Sequence, residues 1–100
     1  LMAQYDLYRM PEMDGFLLDL QSDLIDGLPT RVVVPLYPME PGIRPVKRLH
    51  PIFQIEGRSY VVATHQIAAV PTTELSAPLT NLTSKYDDIT RAVHMLFQGF

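Results

Sequence analysis

The chain contains no cysteine and no tryptophan. Without cysteine there is no disulfide, no thiolate nucleophile and no thiolate-held zinc. Long apolar runs are also missing. None approaches the ~18 residues that span a bilayer, and the opening LMAQYDLYRM lacks the basic-then-apolar order of a signal peptide. Excess positive charge is absent too: the formal net charge is -3, so the surface is not built to hold nucleic acid by bulk electrostatics. These absences are compatible with a cytoplasmic chain that has no membrane partner. What is present is ordinary globular material, 47% apolar over 100 residues, read as one domain over 1–100. A core of that size is modest, and many such domains gain stability by dimerising.

Prolines and glycines set the organisation. All 9 prolines, and every glycine but Gly99, fall before residue 81, which argues against long helices there. Tyr5, Leu7 and Tyr8 suggest a first strand, MPEMDG a loop, and FLLDL a second strand with Phe16, Leu18 and Leu20 on one face and Leu17, Asp19 and Gln21 on the other. TRVVVPL is the clearest strand, with Pro35 near its end. YPMEPGIRPVKR reads as a long excursion. PIFQI and SYVVAT flank EGR, a hairpin around Gly57, and IAAVP is a further short strand. From Ser84 the pattern changes to SKYDDITRAVHMLFQ, without Gly or Pro. Tyr86, Ile89, Val93, Leu96 and Phe97 recur at helical spacing as one buried stripe, with Met95 on the opposite side. Ser84 is the expected cap, Asp87 and Arg91 an i,i+4 pair, and Gly99 the stop. The expected architecture is short antiparallel strands over about 2–71, bent into a barrel and closed by a helix over about 84–98.

Residues suited to chemistry are few. DLQSDLID packs Asp19, Asp23 and Asp26 into one short stretch. It lacks the odd-position ligands and intervening glycine of a calcium loop. One reading has Ser22, Asp23 and Asp26 building turns through backbone N–H groups; the other has the carboxylates binding metal or working as an acid/base pair. Leu24 and Ile25 are adjacent and apolar inside this stretch, either both in the core or at least one exposed for a partner. His50, His65 and His94 are far apart, with no pair at i,i+4. Arg44, Lys47 and Arg48 form a small basic patch in the excursion. At the helix end, His94 and Gln98 flank Met95, and Phe100 either folds back onto the apolar stripe or stands out as an aromatic anchor for another protein.

FLLDLQSDLIDGLPTRVVVPL, then ATHQIAAVP, then a helix ending LFQGF resembles the CcdB family of plasmid-type toxins. That family shows D-V-Q-S-D-(I/L)-(I/L)-D, (V/I)-I-P-L and a Met/Ala-S/A-V-P segment in this order. The resemblance runs over nearly the whole chain. It implies a mainly β fold, an SH3-like barrel of antiparallel strands with a small extra sheet and a C-terminal helix, working as a homodimer. It implies a bacterial, cytoplasmic toxin that binds the A subunit of DNA gyrase and traps gyrase on cleaved DNA, with no catalytic residue, cofactor or metal of its own. It further implies a CcdA-like antitoxin that neutralises the toxin and with it represses the operon, DNA being reached only through that complex. Carried over by position, the gyrase-binding residues are Ser22, Leu24, Ile25, His94, Phe97, Gln98, Gly99 and Phe100. The family's best-known member ends Trp-Gly-Ile, where this chain has Gln98-Gly99-Phe100. Two alternatives stand beside this: a MazF/Kid-type endoribonuclease, which shares the barrel, and a harmless homologue that only binds antitoxin.

Overall fold

A computed structural model describes residues 2–100. Among the described residues, seven strands form one antiparallel sheet: β1 (Asp6–Arg9), β2 (Phe16–Asp19), β3 (Thr30–Pro38), β4 (Ile52–Ile55), β5 (Arg58–Val62), β6 (Ala68–Pro71) and β7 (Thr80–Asn81). The helix α1 (Tyr86–Gln98) follows. The strand order is β4-β5-β3-β2-β1-β7, curled into a half-barrel, with β6 branching off β3.

The long strand β3 organises the rest. One edge pairs with β2, Leu18 opposite Val34. The other edge is shared: β5 takes Leu36 to Pro38 and β6 takes Thr30 to Val33. The small additional sheet is thus a branch of the main one. Pro35 lies where the partner changes from β5 to β6. A strand proline lacks the ladder N–H, and here no strand requires it; its carbonyl still accepts from Ala63 N at 2.9 Å. The β4–β5 hairpin turns on Glu56 and Gly57, both with positive φ (53° and 76°), as a two-residue turn matched to strand twist requires.

Alternation places Leu7, Phe16, Leu18, Val34, Leu36, Phe53, Ile55, Tyr60 and Val62 in one core with Tyr5 and Ile89. The rings of Phe16 and Tyr60 meet edge-on at 4.8 Å. Each such side chain contributes about 1.5–3 kcal/mol when fully buried. The opposite face is buried as well, carrying Tyr8, Asp19, Arg31, Val33 and Val61.

The C-terminal segment departs from expectation in three ways. Ser84 does not cap the helix: Thr83–Lys85 is a 3-10 turn, and Asn81 Oδ1 accepts from Thr83 N at 2.9 Å. Arg91 reaches Asp88 at 3.6 Å rather than Asp87. The buried line of the helix is Ile89 and Ala92, with Val93, Met95 and Leu96 half-buried and Tyr86 and Phe97 exposed. The helix leans on the 3-10 turns Thr64–Gln66 and Thr83–Lys85, so only a narrow part of the apolar stripe is covered. Gly99 does end it, at φ 80° with its N–H donating to Met95 O at 3.0 Å.

Candidate functional site

The acidic bend is held by its polar side chains. Ser22 Oγ accepts from Leu24 N at 3.1 Å and caps the 3-10 turn Asp23–Ile25. Asp23 Oδ1 accepts from Gln4 N at 2.7 Å. Gln21 Nε2 donates to Ile25 O at 2.8 Å, and Gln21 Oε1 accepts from Val32 N at 3.2 Å. Ser22 therefore builds the turn as expected, whereas Asp23 ties the bend to Gln4, 19 residues away in the chain. Asp26 follows the turn and is exposed.

Asp19 has a different place. It is fully buried beside Arg31, whose Nε and Nη2 lie 2.8 and 2.7 Å from its Oδ2, while Gln21 N donates to Oδ1 at 2.9 Å. Burial pushes the Asp19 carboxyl up from its ordinary range, against the Gln21 N–H and the Arg31 guanidinium, which favour the ion. Arg31 Nη2 also reaches Gln21 O at 3.3 Å, so the pair fastens the start of the bend to β3. Among the described residues, no three His, Asp or Glu side chains gather to hold a metal ion.

Gln21 is buried beneath the bend, and the two apolar residues at its crest are not. Leu24 is 94% exposed and Ile25 53%. Between the bend and α1 lies a mostly apolar cleft of about 420 Å³. Leu20 contributes to it from just after β2, Val32 from β3, Ile67 from just after the Thr64–Gln66 turn and Ile89 from the helix. Ser22 and Ile25 line it from the bend, Thr90, Val93 and His94 from α1. Phe100 does not fold onto the stripe: it is 72% exposed, its ring edge-on to His94 at 6.3 Å between centroids. Phe97 is 64% exposed, and Gln98 and Gly99 are exposed beside it.

The structure thus brings Ser22, Ile25 and His94 to one cleft, sets Phe100 against His94, and leaves Leu24 on the outer side of the same bend. Phe97, Gln98 and Gly99 extend the helix tip outside the cleft. Sequence reasoning missed Val32, Ile67 and Thr90; their convergence depends on chain crossings that no local pattern encodes. It also missed that His50 and His65 meet, Nε2 to Nδ1 at 2.8 Å, although 15 residues apart. Arg44 from the basic patch lines that same spot.

The chain is a curled antiparallel half-barrel followed by a C-terminal helix. The chain superimposes on the Mycobacterium tuberculosis toxin MazF-mt6 with a TM-score of 0.71 over 92% of this chain and 95% of that one, at 14% sequence identity, a likeness of fold. The family model of the CcdB protein matches residues 4–99, and the chain belongs to the CcdB family, toxins of toxin–antitoxin systems. No helix among the described residues is long and apolar enough to cross a membrane.

Proposed function

We propose that this protein poisons DNA gyrase: a homodimer binds the A subunit of DNA gyrase and holds the enzyme on cleaved DNA. A CcdA-like antitoxin relieves the block, and the two together repress their operon, contacting DNA through the antitoxin. The reading needs no catalytic group. It needs an apolar surface held out for another protein, and the energy lies in a few contacts worth about 2 kcal/mol or more each. The observation that carries it is the exposure of Leu24 and Ile25 on the bend and of Phe97 and Phe100 at the helix tip, in a CcdB family chain. Two matched copies of this surface suit a two-fold target. Gln98, where the best-known member has Trp, supplies no ring; Phe97 and Phe100 flank it with aromatic area.

The test is a gyrase supercoiling and cleavage assay with the full chain and a chain lacking Gly99-Phe100. The full chain should accumulate cleaved DNA–gyrase complex, and the shortened chain should fold but fail to do so. Equal trapping by both chains refutes the placement of the site at the helix tip. Normal growth on expression without antitoxin, with folded protein present, favours the harmless homologue.

One observation favours the endoribonuclease alternative. Arg44, His50 and His65 share a cleft of about 290 Å³, a grouping of the cationic and basic side chains that RNA cleavage requires. Specific cleavage of cellular RNA, lost in His65→Gln, would establish that reading in place of the first.

A further inference from the structure

His50 comes from the proline-rich excursion and His65 from the 3-10 turn Thr64–Gln66. Their rings face each other edge-on, centroids 4.8 Å apart. The His50 ring is fixed from its other side as well. Its Nδ1 lies 2.9 Å from Val46 N, and a peptide N–H can only donate. Nδ1 of His50 is therefore an acceptor, the proton of the neutral ring sits on Nε2, and that proton is donated to Nδ1 of His65 at 2.8 Å. His65 then keeps its own proton on Nε2. Both basic nitrogens of the neutral pair are already occupied by a donor.

A divalent metal on His50 Nε2 would move the ring proton to Nδ1, facing the Val46 N–H, so the pair is not arranged to hold a metal. An added proton meets the same obstacle. On His50 Nδ1 it opposes the Val46 N–H. The surroundings do not offset the charge. The cleft is also lined by Arg44 from the excursion and by Tyr37 from β3, whose hydroxyl donates to Gln66 Oε1 at 2.9 Å; no carboxylate lies among its described lining.

We propose that His50 and His65 form a proton-sensitive latch that ties the 39–51 excursion to the Thr64–Gln66 turn, closed while the His50 ring is neutral and opened when acid protonates it. Burial and the neighbouring His65 hold the His50 ring below the ordinary imidazole range. The unfolded chain therefore takes up the proton first. The latch's contribution to stability is complete above about pH 6.5 and is lost as pH falls below that value toward the folded-state value of His50. The turn it fastens ends at Ile67, which lines the cleft beside Ile25, so the latch lies behind the docking surface.

Nitrogen NMR of the full chain with labelled histidine, titrated from pH 8 to pH 5, reads the latch directly. At pH 8, His50 should carry its proton on Nε2. It should become cationic below about pH 6.5, and the Val46 amide signal should move at the same pH. In parallel, acidification from pH 8 to pH 5 should lower the melting midpoint of the native chain by about 4 °C more than that of the His50→Gln/His65→Gln double variant, taking about 1 kcal/mol for the lost contacts. A His50 proton on Nδ1 at pH 8, a Val46 signal indifferent to the titration, or equal melting losses for both proteins would each overturn the proposal.

Discussion

Leu24 separates folding from binding more cleanly than any other residue of the site. It is 94% exposed, and the turn beneath it is held by Ser22, Gln21 and Asp23. Leu24→Ala therefore removes almost no packing from the free protein, and the change in folding stability should stay within about 0.5 kcal/mol. In a complex that buries it, a leucine side chain contributes about 1.5–3 kcal/mol, most of which alanine loses. Taking about 2 kcal/mol, affinity for the gyrase A subunit should fall ~30-fold per site. Titration calorimetry against that purified gyrase polypeptide gives the affinity, and a thermal melt of the free variant gives the control. Leu18→Ala makes the contrast: Leu18 is in the core, and its truncation should cost about 2–5 kcal/mol of stability. A Leu24→Ala variant that binds within about threefold of the native chain, with its melting unchanged, would show that the bend does not enter the complex. One that melts ~10 °C lower would show that Leu24 supports the fold instead, by the usual relation of stability to melting temperature.

Arg31→Met should cost about 3–5 kcal/mol in urea unfolding, because it leaves Asp19 buried and unpaired, whereas Asp19→Leu/Arg31→Met should recover most of that loss. The Asp19 carboxyl, already pushed up by burial, rises further without the guanidinium. Its folded state then binds a proton more tightly than its unfolded state, so the deficit of Arg31→Met should shrink as pH is lowered from 8 to 5; a deficit that grows on acidification would refute the buried-charge account. Gly15→Ala should lose about 2 kcal/mol or more, because Gly15 sits at φ 148° and a Cβ there would overlap the carbonyl oxygen of Leu36; a thermal melt equal to the native chain's would show that the backbone yields.

Much of this fold could be read along the chain because its strands are short, alternating and punctuated. Phe16 and Leu18 lie on one face and Asp19 on the other, as their alternation requires, and Gly57 turns the hairpin it marks. The failures are of one kind. β7 has only Thr80 and Asn81, both exposed, and is held by Leu79 N to Leu7 O and Leu82 N to Tyr5 O, bonds to a strand over 70 residues away. Asp19 meets Arg31, and His50 meets His65, through strand and turn placement rather than spacing. Helical periodicity locates the apolar side of α1 but not how much of it is covered, so Tyr86 and Phe97 share the stripe without sharing its burial. At the bend the sequence left two readings open, both apolar side chains in the core or at least one exposed. Leu24 and Ile25 are adjacent in an acidic turn, where two neighbouring apolar side chains cannot easily share one core; neither is buried.

That exposure is built rather than incidental. A free turn carrying Leu24 would tend to fold it down onto the apolar cleft that Ile25 already lines. Here Ser22 closes the turn, Gln21 ties it both to Ile25 O and to Val32 N, Asp23 fastens it to Gln4, and the buried Asp19–Arg31 pair anchors the strand that feeds it. These bonds fix the course of the bend, with Ile25 at the cleft and Leu24 facing solvent. Under the proposed function, a partner would meet side chains already positioned, and less of the binding energy would be spent on ordering the bend. On this account Asp19 and Asp23 contribute to a docking surface without touching its occupant. Asp23→Ala should then weaken binding by a different route from Leu24→Ala: the contact residues are all present, but amide exchange in the bend should quicken as affinity falls. Weakened binding with unchanged exchange at Leu24 and Ile25 would mean that Asp23 itself contacts the partner.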